Sequence, residues 1–331
     1  MNKKTIAIVG ATGAVGQQMK ECLEERKIDC QLKLLASKRS AGKKAVFQGK
    51  EITVEELKES SFEGVDYALG ATENDITKMW MPWAQKQNTI VIDNSSAYRL
   101  DNDVPLVIPE INARDIQTHK GIIANPNCAT IIALVALEAL HKEFKIQRMI
   151  VSTYQAVSGA GVQGIRDLEN QVKDPSIPSQ AFPYQIAYNL IPQIGDFDEN
   201  GISKEEWKLQ NESRKIWHDP NLRVNCTCVR VPILRSHSES ITIECEKEID
   251  IIKAKELLKN AKGVKFVDDP QNKKYPMPLD TSNQDLVYVG RVRLDPSDPT
   301  KHSLILFCCG DQIRKGAATN AVQILEECLK A

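Results

Sequence analysis

No stretch of this chain approaches the roughly 18–20 uncharged apolar residues that a membrane-spanning helix needs, so no span is expected. Excess charge of one sign is missing too. Lys and Arg number 43 against 44 Asp and Glu, a formal net charge of −1, which leaves no global field to gather nucleic acid or an anionic membrane. Histidine is scarce, with five in all. None is spaced as H-x3-5-H and no CxxC pair occurs, so the usual zinc frameworks are excluded and no metal is expected. Internal repeats, low-complexity tracts and long linkers are absent as well. The opening MNKKTIAIVGATG carries only a short apolar run before its glycines. That is too little for a signal peptide or an anchor, and a cytoplasmic protein is expected.

What is present is a chain of 331 residues, 42% hydrophobic and 26% charged. That composition is ordinary for a folded protein, and at about 150 residues per domain it predicts roughly two domains. Nine cysteines, an odd number in a long chain, do not read as a disulfide framework. Most lie in apolar strand-like or helical text and are expected to be small buried hydrophobes. Cys226 and Cys228, taken to lie on opposite faces of a strand, receive no role.

The first half alternates strand and helix. Thr5–Gly10 is an apolar, β-branched run suited to a strand buried on both faces. The text at 13–26 has apolar residues at helical spacing (Val15, Met19, Cys22, Leu23). Strands are predicted at 31–36, 65–71 and 89–93, with a helix over 78–86. Such alternation implies a doubly wound parallel sheet. After residue 128 an apolar helix (129–144) leads to a strand (147–155), then a proline-bearing polar stretch. Strand candidates follow at 226–232, 240–246, 286–294 and 303–309, and an amphipathic helix at 317–329. Period-two alternation at 241–245 and 288–294 predicts a mixed or antiparallel sheet. The expected fold class is α/β, a Rossmann-like domain followed by an α+β domain.

Four places carry candidate chemistry. Gly10-Ala-Thr-Gly13-Ala-Val-Gly16 follows a strand and opens a helix, where backbone N–H groups and the positive dipole end suit a pyrophosphate. The end of the second strand reads Ala36-Ser-Lys-Arg39-Ser-Ala-Gly42, with cations and hydroxyls and no acid. NAD sites place a carboxylate there, so this loop favours the 2′-phosphate of NADP; it also fits a solvated basic loop. Asn127-Cys128 opens an apolar helix, whose N-terminus favours the thiolate, although a capped, buried cysteine fits the same text. Arg230-Val-Pro-Ile-Leu-Arg-Ser-His237 supplies an imidazole for such a nucleophile and an arginine to hold a carboxylate. Taken alone, His237 would also serve as a structural residue. Glu205 and Lys208 share a helix face behind the capping box Ser203/Glu206, which equally describes a surface helix start.

Together these motifs resemble the aspartate-β-semialdehyde dehydrogenase family. The resemblance runs along the whole chain, through GATGAVGQ at 10–17, DNSSAYR at 93–99, NPNCAT at 125–130, RVPILRSHSES at 230–240 and GDQIRKGAATNAVQI at 310–324. It implies a glyceraldehyde-3-phosphate-dehydrogenase-like fold with an NADP-binding domain over 1–127 and the last helix, 315–331. A catalytic and dimerisation domain then covers 128–314. It implies Cys128 as nucleophile, His237 as acid/base partner and Gln155 as a substrate-positioning residue. Arg230, Glu205 and Asn127 would bind substrate, and Arg99 and Lys208 its phosphate. Gly10, Thr12, Gly13, Ala14, Val15, Ser37, Arg39, Ser40, Ala41, Ser158, Gly159 and Gln312 would contact NADP.

The implied reaction reduces 4-phospho-L-aspartate to L-aspartate 4-semialdehyde through a Cys128 thioester. It belongs to lysine, threonine, methionine and diaminopimelate biosynthesis, and is run by a homodimer or tetramer without metal. The alternatives are another phosphorylating acyl-phosphate reductase, a non-catalytic NADP-binding paralogue and a Cys/His hydrolase.

Overall fold

The computed structural model describes residues 3–330; Met1, Asn2 and Ala331, which fall in the expected NADP-binding domain, lie outside the described residues. The chain divides into two compact units, residues 1–127 with 317–331, and residues 128–316.

In the first unit the elements run β1 (Lys4–Val9), α1 (Ala14–Glu25), β2 (Cys30–Ala36), β3 (Lys44–Phe47), β4 (Lys50–Glu56), β5 (Tyr67–Gly70), α2 (Asn74–Lys86), β6 (Ile90–Asp93), α3 (Pro109–Asn112) and β7 (Ile122–Ala124). The run Ile6–Val9 is wholly inaccessible, as a strand covered on both faces must be. Met19, Cys22 and Leu23, spaced three and four apart, are the buried stripe of α1. The seven strands order as β3-β4-β2-β1-β5-β6-β7. All pair in parallel except β3, which joins β4 as an antiparallel hairpin. That hairpin, unforeseen in the sequence, turns on Gln48 and Gly49, both at positive φ, the backbone of a type I′ turn. The strand order reverses at β1, with β2 on one side and β5 on the other. Open α/β sheets bind ligands at the carboxyl ends of strands beside such a switch.

The second unit begins with α4 (Cys128–Phe144), whose residues 129–137 are all buried. It continues through β8 (Ile146–Gln155), α5 (Gly161–Lys173), α6 (Lys204–Ile216), β9 (Arg223–Arg230), β10 (His237–Cys245), α7 (Ile251–Lys259), β11 (Val264–Phe266), α8 (Pro278–Thr281), β12 (Val287–Leu294) and β13 (Ser303–Gly310). The sheet order is β11-β12-β13-β10-β8-β9. It is mixed, as the alternation implied: antiparallel in the middle, with parallel pairs β11/β12 and β8/β9 at the edges. β10 starts at His237, three residues before the expected strand. His237, Ser238 and Glu239 are buried although polar, so no hydrophobic period marks them.

The chain then returns to the first unit as α9 (Thr319–Lys330). Ala321, Val322, Ile324 and Leu325 share a core with Met19, Cys22 and Leu23 of α1, and Arg26 pairs with Glu326 at 2.7 Å. The return begins at Ala317, not at residue 315. The Asp311 carboxylate accepts the N–H groups of Ile313 and Arg314, and the Asp311 carbonyl that of Gly316, which keeps 311–316 with the second unit. No helix among the described residues is long and apolar enough to cross a membrane.

Candidate active site

Two loops of the first unit form its candidate binding surface. Gly10 sits at φ 86°, and a Cβ on it would lie 2.3 Å from the Ala71 carbonyl oxygen. One on Gly16 would lie 2.4 Å from the Gly10 oxygen. These two glycines are therefore demanded by packing, which lets the turn lie flat on the sheet. Gly13 meets only the Gly10 oxygen, at 3.4 Å, and is exposed. It precedes α1 with no side-chain cap and no acid in the first turn. The N–H groups of Ala14 and Val15 thus open the helix as an anion site needs. After β2, Ser37 and Arg39 are exposed while Ser40 is buried, its hydroxyl 3.4 Å from that of Thr12. No carboxylate ends β2; Asp29, which precedes it, pairs with Lys3. Ala41 closes the short turn on the carbonyls of Ser37 and Lys38. This cradle fits a dinucleotide pyrophosphate and the phosphorylated ribose beside it.

Two further predicted residues follow neighbouring strands of the same sheet. Arg99, after β6, donates from Nε to the Asn125 carbonyl (2.9 Å) and from Nη2 to the Asn94 carbonyl (2.6 Å). Asn127, buried, ends the segment after β7.

The second unit gathers the remaining candidates. Cys128 is the first residue of α4 and is half-buried, at the helix end that stabilises a thiolate. Gly316 closes against it: a Cβ there would lie 2.8 Å from the Cys128 Cβ. Across the sheet, Gln155 ends β8, Arg230 ends β9 and His237 starts β10, where β8 pairs with both neighbours. Gln155 Nε2 donates to Glu205 Oε1 (3.2 Å), and Thr153 Oγ1 donates to Gln155 Oε1 (3.0 Å). Lys208 Nζ holds the other Glu205 oxygen at 2.9 Å. Glu205 and Lys208 occupy the first turns of α6, fixed by the reciprocal Ser203/Glu206 capping box that the sequence predicts. Arg230 spends Nη1 on the Ala156 carbonyl (2.7 Å) and lies 5.8 Å from the Phe182 ring centre. Gly159 leaves the space beside these groups: a Cβ on it would come 2.7 Å from Arg230 Nη1 and 3.5 Å from His237 Nε2.

His237 is fully buried, and burial first, then the Arg230 charge, lower its pKa to about 3 against the opposing pull of Glu205. The imidazole is therefore neutral at neutral pH. Ala156 N–H donates to Nδ1 at 3.1 Å, which places the remaining proton on Nε2. The Gln155 amide nitrogen, 3.4 Å from Nε2, already serves Glu205 as a donor, so donor faces donor. The Nε2–H thus finds no acceptor in that amide. Burial lowers the Arg230 pKa, and the charges of Glu205 and Cys128 pull it back up, so Cys128 and the guanidinium share one electrostatic environment.

Ser158 and Gln312 are joined through Gln312 Nε2 and Ser158 Oγ, and Gln312 Oε1 accepts the Ser236 N–H at 2.8 Å. The second unit thus brings together Cys128, Gln155, Ser158, Gly159, Glu205, Lys208, Arg230, His237 and Gln312. The first holds the glycine loop, Ser37–Ala41, Arg99 and Asn127, so the two expected phosphate cations, Arg99 and Lys208, belong to different units. Thr153, Ser236 and Gly316 escaped sequence reasoning. Ser236 at φ 74° gave no signal, because serine seldom marks a left-handed turn. Arg235, beside His237, is structural: it pairs with buried Asp311 at 2.7 Å. No cluster of three metal-ligating groups occurs among the described residues.

A half-buried cysteine at a helix mouth, a buried imidazole and a glycine cradle on a doubly wound sheet are the features of a dinucleotide-dependent aldehyde dehydrogenase of two domains. Residues 5–119 match the family described as semialdehyde dehydrogenase, NAD binding domain, and residues 137–315 match its dimerisation domain. The chain belongs to the aspartate-semialdehyde dehydrogenase family. It is 51% identical to the aspartate-semialdehyde dehydrogenase of Aquifex aeolicus over 98% of each chain, and 46% identical to that of Bacillus subtilis over 98% of this chain and 97% of that one. The crystal structure of aspartate semialdehyde dehydrogenase II from Vibrio cholerae, complexed with ASA, superposes with a TM-score of 0.96 at 41% identity. It covers 100% of this chain and 99% of that one.

Proposed function

We propose that the protein converts aspartyl phosphate and NADPH to aspartate semialdehyde, phosphate and NADP, through a thioester on Cys128. The observation that carries this reading is Cys128 at the mouth of α4 in one unit with Arg230, Glu205, Gln155 and His237. Arg230 holds the substrate carboxylate with the guanidinium edge not used by Ala156. Glu205, fixed between Gln155 and Lys208, receives the substrate ammonium. Lys208 and Arg99 offset the phosphate charge as the Cys128 thiolate attacks the acyl carbon and phosphate leaves. Asn127 precedes the nucleophile and lines the acyl group.

NADPH, when bound, would supply the hydride. Residues 10–15 would hold its pyrophosphate and Ser37, Arg39, Ser40 and Ala41 its 2′-phosphate, with Ser158, Gly159 and Gln312 as further candidate contacts. The neutral His237 holds its Nε2–H as a hydrogen-bond donor to the oxygen on which charge develops, and collapse of that oxyanion frees the aldehyde and returns the thiolate with no net proton transfer. A pKa lowered to about 3 keeps the ring neutral, so that it acts here as a fixed donor. The dimerisation domain supports a homodimer built through the second unit, with a tetramer as a further assembly. No disulfide joins the described cysteines, which suits a cytoplasmic site.

The deciding experiment is Cys128→Ala assayed with aspartate semialdehyde, phosphate and NADP. Turnover should vanish while NADP binding by calorimetry stays within a few-fold; substantial residual turnover would remove the thioester from the mechanism. Arg39→Asp tests the cofactor assignment. It should weaken NADP far more than NAD, since only NADP carries the phosphate that Arg39 meets, and equal losses would return the loop to plain solvent exposure.

A further inference from the structure

Cys226 and Cys228 stand two apart on the edge strand β9 and so share one face. This corrects the expectation that they point to opposite sides. Their sulfurs lie 3.5 Å apart. Cys228 is buried and Cys226 half-buried. Cys226 opens onto a hollow of about 690 Å³ whose walls include Pro192, Phe197, Ile202 and Trp207. A thiolate-bound ion sits about 2.3 Å from sulfur, which sets two sulfurs on one tetrahedral centre about 3.8 Å apart. The pair is thus spaced for a shared bridging atom.

Two neighbouring chemistries fit less well. No third ligating group completes a metal cluster among the described residues, so a divalent ion would lack the ligands of a closed site. A disulfide would need the Cα atoms within about 4.4–6.8 Å, and residues two apart along a strand lie at the far limit of that range, about 6.6 Å.

We propose that Cys226 and Cys228 form a bidentate site for trivalent organoarsenicals, with the organic group lodged between Trp207, Phe197 and Ile202. Arsenic(III) carrying one aryl group needs two sulfur bonds and no further protein ligand. An aryl arsenoxide condenses with the two thiols. Two S–H bonds break, two As–S bonds form, and the arsenic-bound oxygen leaves with both protons as water, with no change of oxidation state.

The partner thiol and then burial push the Cys226 thiol far up from its ordinary value. The pair is accordingly slow toward simple alkylating agents, which need thiolate, while chelation by arsenic holds both sulfurs at once.

The test uses phenylarsine oxide on the full chain carrying Cys128→Ser, which removes the thiol at the helix mouth. Intact mass should show one phenylarsenic per chain that survives excess mercaptoethanol and is stripped by dimercaptopropanol. The resistant adduct should be lost when either Cys226→Ala or Cys228→Ala is added, and kept when Cys328→Ala, the other half-buried thiol, is added. Failure of the adduct to form, or its survival in both β9 variants, would overturn the assignment. Because the readout is mass, it stands or falls apart from the catalytic reading.

Discussion

At the scale of single residues, the site depends on groups whose geometry leaves no slack. Arg230 already gives one N–H to Ala156 and sits buried beside Gly159. Lysine in its place keeps the charge but loses the planar fork that can serve the Ala156 carbonyl and a substrate carboxylate together. Arg230→Lys is expected to raise KM for aspartate semialdehyde by about 10-fold or more, the loss of a charge-assisted hydrogen bond of about 1.5–3 kcal/mol. The thermal midpoint should barely move; steady-state kinetics beside a melting curve decide it, and unchanged KM would make Arg230 structural. Much at this scale could be read directly from the chain. Cys128 opens an apolar helix, and Glu205 and Lys208 sit behind a capping box, all within a few residues. What the text could not show is the company these residues keep. Thr153 reaches Gln155 because both face one side of β8, and Gly316 meets Cys128 from across 188 positions of chain.

At the scale of elements, α6 is held at its start by the reciprocal hydrogen bonds of Ser203 and Glu206. Glu206 Oε1 also accepts the Cys228 N–H at 3.0 Å, tying the helix to the edge strand β9. Ser203→Ala removes the cap and should cost about 1 kcal/mol in urea unfolding. It should also lower kcat/KM, because Glu205 and Lys208 lie in the turn that frays; a stability loss with unaltered kinetics would show that β9 alone holds them. The elements legible in the sequence were those with an apolar run or period: β1, α1, β2, β5, α2, β6, α4, β8, β9, β10, β12, β13 and α9. The hairpin β3/β4 escaped because it is an edge, with Lys44, Lys50 and Glu51 exposed, and polar edges carry little hydrophobic pattern. The short β7 and β11, of three residues each, offer too few positions for a period. The amphipathic α5 lay in a stretch read only for its polarity and prolines.

At the scale of the whole molecule, two buried ionisable groups on β10 set opposite demands on stability. His237, its pKa lowered to about 3, is neutral when folded. The unfolded chain takes up a proton below about pH 6.5, so stability from this group falls as pH drops through that window toward 3. Glu239, two residues on, is wholly inaccessible, and neither carboxyl oxygen has a hydrogen-bond partner. Burial raises its pKa well above the ordinary value. The folded chain keeps this proton while the unfolded one releases it above about pH 4.3. Its contribution is therefore whole below that pH and declines as pH rises toward the folded value. Glu239→Gln has the same shape and no proton to hold. The variant should gain stability over the parent, with the gain larger at pH 8 than at pH 5 by urea unfolding at each. A gain that stays constant across that range would mean the carboxyl is not held protonated by the fold. A loss that grows with pH would mean that it is ionised and paired. The same substitution leaves Gln155, Arg230 and His237 in register on their strands, so kcat should change little while the pH dependence of unfolding shifts.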